Sequence, residues 1–318
     1  MDLVNHTPFP AFLWTSIADD ERLMASLVTR VTFDVREGRL TPSAEQVWRV
    51  SPAPWEGPCG PMEADAVFYK GGVDLLVFGH AQAPAGREVT QLDFSVELGD
   101  FYRRVRVFGD RVWERRGTGL QPSQPRPFRA LKLCFENAFG GKADWDGLEV
   151  PFADNPTGKG YYLEEEQALG QPLPNLEDPE HLIRKWDDRP DPIGLGCCPM
   201  ANSKRLQRGI EFHENGGLRK IHSRLFNAAF PDMIVAAVKP EARCRLTGLG
   251  KTGSMMFWIP DFQPRIRLTF DKEIIERPLT IDQVGIEADE DRVFITYRYP
   301  FLFVLYPLQR RLAELLPP

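Results

Sequence analysis

The sequence predicts a mainly β fold, a β-rich α+β chain with antiparallel sheets in a sandwich-like arrangement, a loop-rich middle layer and few short helices. Three observations predict it. Among 318 residues stand 28 prolines and 26 glycines, a proline share above the roughly 5% average that favours turns over long helices. Apolar residues alternate with polar ones at Val31, Phe33 and Val35, at Leu92, Phe94, Val96 and Leu98, and at Val105 and Val107, the period of a strand with one buried face. Polar-glycine pairs (Glu37-Gly38, Gly99-Asp100, Gly109-Asp110) stand where such strands must reverse.

One continuous domain, 1–318, is expected, with sub-regions at 1–118 (N-terminal β), 119–205 (loop-rich), 206–306 (C-terminal β) and 307–318 (terminal helix). The loop-rich stretch holds PSQPRPF, NPTGKG, LPNLEDP and RPDPIGLGCCP; its aromatic residues Phe135, Phe139, Trp145, Tyr161 and Tyr162 have apolar surface to bury, which predicts an ordered layer instead of a disordered linker. Asp178 followed by Pro179 reads as a helix start, with Leu182, Ile183 and Trp186 on one face and Asp187 to Pro190 ending it. Past 206, GIEFHE and LRKIHSRL flank Asn215-Gly216-Gly217 as a hairpin, and RCRLTGL, SMMFWIP, RIRLTF and RVFITYRY read as further strands. Leu308, Leu312 and Leu315 then recur at helical spacing, predicting a closing amphipathic helix.

A formal charge of −6 and scattered basic residues argue against nucleic acid as a ligand. The start MDLVNHTPFPAF lacks the basic and apolar blocks of an export signal, and the most apolar window, FLFVLYPL, is far short of the roughly 20 residues that cross a bilayer. A soluble, cytoplasmic protein is expected. Five cysteines (Cys59, Cys134, Cys197, Cys198, Cys244) form neither a disulfide framework nor a zinc ribbon.

GLGKTGS at 248–254 imitates a phosphate-binding loop. That motif needs a glycine at 245, where Arg245 stands, and a helix afterwards, where SMMFWIP reads as a strand. It reads as a hairpin turn. His213 and His222 lie on the two arms of the NGG hairpin, diagonal at best, and are expected at the surface. No G-x-S-x-G is present. The acidic runs Glu164 to Glu166, Asp187 with Asp188, and Asp289 to Asp291 supply an acid/base pair only where folding brings two together, and clustered acids in turns are ordinarily solvated. No catalytic residue, cofactor or metal is predicted.

Seven stretches stand out in order: DLLVFGHAQAPAGREVT (74–90), RVFGDRVW (106–113), CFENAFGG (134–141), NPTGKG (155–160), LPNLEDPEHLI (173–183), RPDPIGLGCCP (189–199) and LFNAAFPDM (225–233). Together they resemble a bacterial family known as domain of unknown function 2169, from about Asn5 to about residue 300. Phe135-Glu136-Asn137 departs from the family's usual aromatic-glutamate-arginine, and Cys197-Cys198 stands where members vary. The resemblance implies a non-enzymatic adaptor or chaperone of type VI secretion. Its implied partners are an effector protein, held through its N-terminal region, and the spike-tip PAAR protein, VgrG or both. Two alternatives stand beside it: a hydrolase acting on carbohydrate or cell wall through its acidic residues, and a structural subunit of the secretion apparatus.

Within the stretches, Gly140-Gly141, Gly158 and Gly160 suit backbone conformations closed to other residues, and Asn155 and Asn175 suit loop-fixing hydrogen bonds. The candidate partner-binding residues are Phe139, Trp145, Asn155, Tyr161, Tyr162 and Asn175, since aromatic side chains on rigid loops give contact area at low entropic cost. A further route is pairing of a client segment with an exposed sheet edge.

Overall fold

A computed structural model describes residues 1–84 and 87–318; Ala85 and Gly86 of the first family stretch lie outside the described residues. The architecture is mainly β, as expected, and among the described residues there are two short α-helices, Glu165–Ala168 and Ser203–Gly209. The largest sheet runs in the order Ala11–Ile17, Arg22–Arg36, Arg292–Val304, Thr280–Glu287, Val73–Phe78, Ile234–Val235, with Arg39–Pro42 also paired to Arg22–Arg36. Every pairing in it is antiparallel except that of Thr280–Glu287 with Val73–Phe78. A second sheet orders Leu176–Glu177, Phe101–Phe108, Gln91–Leu98, Arg243–Thr247 and Ser254–Trp258, and a third orders Asp2–Asn5, Arg311–Leu316, Arg265–Phe270 and Glu273–Pro278.

The sub-regions 1–118 and 206–306 do not fold apart. Strands from both interleave in the first two sheets, because each leaves open edges that only the other fills. One core joins the sheets, through Leu27, Val31 and Phe33, Phe94, Val96 and Val105, and Ile266, Leu268 and Leu315. A smaller core of Trp113, Leu120, Phe139, Ala168, Leu173 and Ile183 lies within and beside the loop-rich stretch.

The expected hairpins form at Glu37-Gly38, Gly99-Asp100 and Asn215-Gly216-Gly217, and GLGKTGS joins Arg243–Thr247 to Ser254–Trp258 as an antiparallel turn. Gly109-Asp110 is not a hairpin. The Gly109 amide donates to Thr90 O at 2.9 Å, and a Cβ there would lie 1.8 Å from Arg126 O; the glycine serves a close backbone approach.

Two expected helices are absent. The segment from Asp178 is a series of turns, because carboxylates take the amides a helix needs: Glu177 accepts from Ile183 N at 2.8 Å, and Asp188 accepts from Arg184 N and Lys185 N at 2.8 and 2.9 Å. Instead of a helix over 307–318, Arg311–Leu316 is a strand, parallel to Asp2–Asn5 and antiparallel to Arg265–Phe270, with Ala313 and Leu315 buried. Main-chain partners on both sides outweigh the helical spacing of its leucines.

The alternation over 22–36 predicted one buried face, yet both faces are buried from Ala25 to Phe33. The second face carries Arg30, and the neighbouring strand carries Arg298. Arg30 pairs with Asp65 at 2.5 Å and donates to Thr296 Oγ1, Gln283 Oε1 and the Arg49 carbonyl. Arg298 pairs with Asp282 at 2.5 Å and donates to Val67 O at 2.6 Å and Asp65 O at 3.1 Å. Lys70 and Asp74 pair at 2.8 Å beside them. These bonds tie the irregular segment 49–70 to the back of the sheet.

Burial works to raise the Asp282 carboxyl, but the charges of Arg298 and Lys70 outweigh it and hold its pKa below the ordinary 3.8. Its contribution to stability is therefore complete above about pH 3.8 and is lost as pH falls through the depressed folded value. Asp282→Asn is expected to cost about 3–5 kcal/mol at pH 7, because it leaves Arg298 buried without its counter-charge. Urea denaturation from pH 7 downward should show the gap to the unaltered chain closing only below pH 3.8.

Candidate functional site

The Val77 amide, in the strand Val73–Phe78, donates to Leu195 O at 2.8 Å, which lays the 189–199 stretch alongside that strand. Cys197 then bridges to Ala229, and the Cys198 amide donates to Ala228 O at 2.7 Å. From the other side, Leu133 N bonds Gly79 O, and the chain turns through a short 3₁₀ segment, Phe135–Asn137. The hairpin Trp55–Gly57/Gly60–Met62, carried by the segment that Arg30 and Arg298 anchor, supplies a further wall.

These pieces enclose a pocket of about 410 Å³. Its floor is apolar and buried, formed by Phe78, Leu133, Leu176, Ile193 and Leu195. Its rim is polar and exposed, formed by Glu56, Lys132, Glu136 and Thr157. Three thiols line it: Cys59, Cys134 and Cys197. Burial, helped by Glu287, pushes the Cys59 thiol up to about 12, and burial pushes Cys197 up to about 12; burial and Glu136 raise Cys134. Burial thus favours the neutral thiol at each of these positions, where a small apolar group suits an apolar floor. Cys59 Sγ donates weakly to Glu287 Oε2 at 3.5 Å.

Five of the seven family stretches reach this pocket, through Phe78, Cys134 to Glu136, Thr157, Leu176, and Ile193 to Pro199. The other two support it from behind: Phe230 packs on Phe135 with ring centroids 4.5 Å apart, and Val107 pairs with Leu176. A match to a protein family covers residues 20–298, and that family is described as uncharacterized protein conserved in bacteria (DUF2169). The chain belongs to this family. No curated protein and no solved structure matches it.

The quoted stretches thus build one pocket, and the candidate partner-binding residues lie largely in the loops that frame it. Phe139, Asn155 and Asn175 are fully buried. Asn155 Nδ2 donates to Phe135 O at 2.8 Å and Phe139 O at 3.0 Å; Asn175 Nδ2 donates to Phe108 O at 2.9 Å. Tyr161 and Tyr162 are half-buried in the small core, the Tyr162 hydroxyl donating to Pro172 O at 2.8 Å. Only Trp145 is exposed, 61%, paired on a hairpin tip with Leu148, 66% exposed. Gly140, at φ 148°, belongs to the same framework, since a Cβ there would meet Asn155 O at 2.1 Å. Sequence reasoning missed Phe78, Leu195 and Gly196 as site residues, although each lies within a quoted stretch.

The acidic runs serve local structure. Asp289 pairs with His80 at 2.6 Å, Glu165 with Arg115 at 3.3 Å, and Asp188 caps backbone amides. His222 bonds Glu211 Oε1 at 2.6 Å, while the His213 amide closes the hairpin onto Gly217 O. Among the described residues no group of three or more His, Cys, Asp and Glu is placed to hold a metal ion, and no helix is long and apolar enough to cross a membrane. A larger cleft of about 600 Å³ lies between Tyr69 to Val73 and Pro278 to Asp282, and its charged groups Lys70, Asp282 and Arg298 are already paired internally.

With a pKa near 12, the thiolate fraction of Cys59 and Cys197 at pH 7 is on the order of 10⁻⁵, against a few per cent for a free thiol. All five cysteines are unpaired. Ellman's reagent at pH 7 is expected to label the folded chain slowly and to reveal five thiols promptly in denaturant.

Proposed function

We propose that the chain is a non-enzymatic adaptor of type VI secretion that holds an effector through its N-terminal region and presents it to the spike-tip PAAR protein, VgrG or both. The supporting observation is the convergence of five family stretches on one apolar-floored, polar-rimmed pocket. That is the anatomy of an anchor site, where one apolar side chain of a partner is desolvated and a hydrated rim fixes its approach. One buried anchor contributes about 1.5–3 kcal/mol, which suits a grip that must later be released.

Gly196 offers a way to fill this pocket without disturbing the fold. A Cβ there meets only Phe78, at an ordinary 3.5 Å, and its φ lies outside the left-handed region. Gly196→Leu is expected to leave the melting temperature within a few degrees and to reduce co-purification of a co-expressed effector by at least about tenfold, the equivalent of one lost anchor. Unchanged capture by Gly196→Leu moves the contact away from the pocket. An effector equally soluble, abundant and loaded without the chain overturns the adaptor reading.

A further inference from the structure

Natural sheets guard their edges with charge, proline, brevity or a covering segment. Most edges here follow the rule. Ile234–Val235 and Leu176–Glu177 are two residues long, Asp2–Asn5 carries an acid, and Glu273–Pro278 carries Glu273, Glu276, Arg277 and a terminal proline. Ser254–Trp258 is uncharged but partly covered, its Trp258 amide donating to Gly38 O at 3.2 Å. Ala11–Ile17 is the exception. Its seven residues, AFLWTSI, contain no charge, proline or glycine, and its outer side pairs with no strand among the described residues.

The register fixes which groups that edge presents. Ala18 N donates to Arg22 O and Arg30 N donates to Pro10 O, so in this antiparallel pair the even-numbered residues bond inward. The N–H and C=O of Ala11, Leu13, Thr15 and Ile17 therefore point outward. The arrangement is self-complementary: a second copy laid antiparallel, with a two-fold axis at Trp14, sets Ala11 against Ile17 and Leu13 against Thr15. Every outward group then finds a partner. No like charges meet, since there are none, and Ile17, 73% exposed, is covered by the partner strand.

We propose that the occupant of this edge is a second copy of the chain, joined through Ala11–Ile17 into one continuous sheet across an isologous interface. The pairing needs no effector and no pocket, so it stands apart from the adaptor reading.

The test uses the purified chain alone. Sedimentation velocity over a concentration series is expected to show a monomer–dimer equilibrium in the unaltered chain. Thr15→Pro removes an N–H that the fold does not use, at an edge where proline is tolerated. It is expected to weaken the dimer about 30-fold, two hydrogen bonds being lost across the axis, with an unchanged melting temperature. Ser16→Pro, which breaks an inward bond, is expected to lower that temperature instead. Trp14→Cys places two thiols opposite each other on the axis, and mild oxidation is expected to give a disulfide-linked dimer, whereas Ser16→Cys gives none. A chain that stays monomeric up to about 100 μM, which excludes a Kd in the low micromolar range, overturns the proposal. So does a dimer that survives Thr15→Pro, or a Ser16→Cys chain that cross-links as readily as Trp14→Cys.

Discussion

Two arginines buried behind the largest sheet hold the rest of the molecule in register. Arg30 and Arg298 sit on adjacent strands and donate to main-chain carbonyls of Arg49, Asp65 and Val67 as well as to carboxylates. Carbonyls of an irregular segment are costly to bury unpaired, and guanidinium groups satisfy several at once in a fixed fork. The segment so held carries the hairpin with Cys59 and Gly60, which walls the pocket. Loss of an arginine there would therefore damage stability and also the shape of a site on the other side of the segment.

Much of the strand content was legible because alternation and turn chemistry are local. The hairpins at Gly38, Gly99, Gly216 and GLGKTGS follow from residue type alone. The two missing helices were illegible for the opposite reason. Asp178 has the letters of a cap, but Glu177 and Asp188 compete for the amides, and the last strand exists only because two edges far away in sequence lie open beside it. The second buried face of Arg22–Arg36 was equally hidden. A lone Arg30 between Thr29 and Val31 reads as solvent-facing until Asp65, thirty-five residues away, is placed against it.

The candidate site shows the same division. Five of the quoted stretches line it, and the asparagines singled out within them fix loops, as their residue type suggests, while its floor is formed by other residues. Asparagine and aromatic residues in turns attract notice, and here they perform framework work: Asn155 and Asn175 bridge carbonyls of neighbouring loops. The pocket floor is made of unremarked apolar residues, Phe78 and four aliphatic ones, whose convergence depends on topology. Leu195 meets Phe78 because its carbonyl caps the Val77 amide, a contact across more than a hundred residues with no sequence signature.

The pocket and the free edge are compatible. In the largest sheet Ala11–Ile17 stands at one margin, while Val73–Phe78, which ends in the pocket's Phe78, stands four strand spacings away. At about 4.8 Å each, that separation is roughly 19 Å. A partner strand added at the edge extends the sheet away from the pocket and leaves its mouth open. A two-fold assembly would therefore carry two pockets on one rigid sheet, and a client with two copies of its anchoring segment would be held by effective concentration as well as by intrinsic affinity. Weak single contacts, which release readily, then suffice for a firm hold.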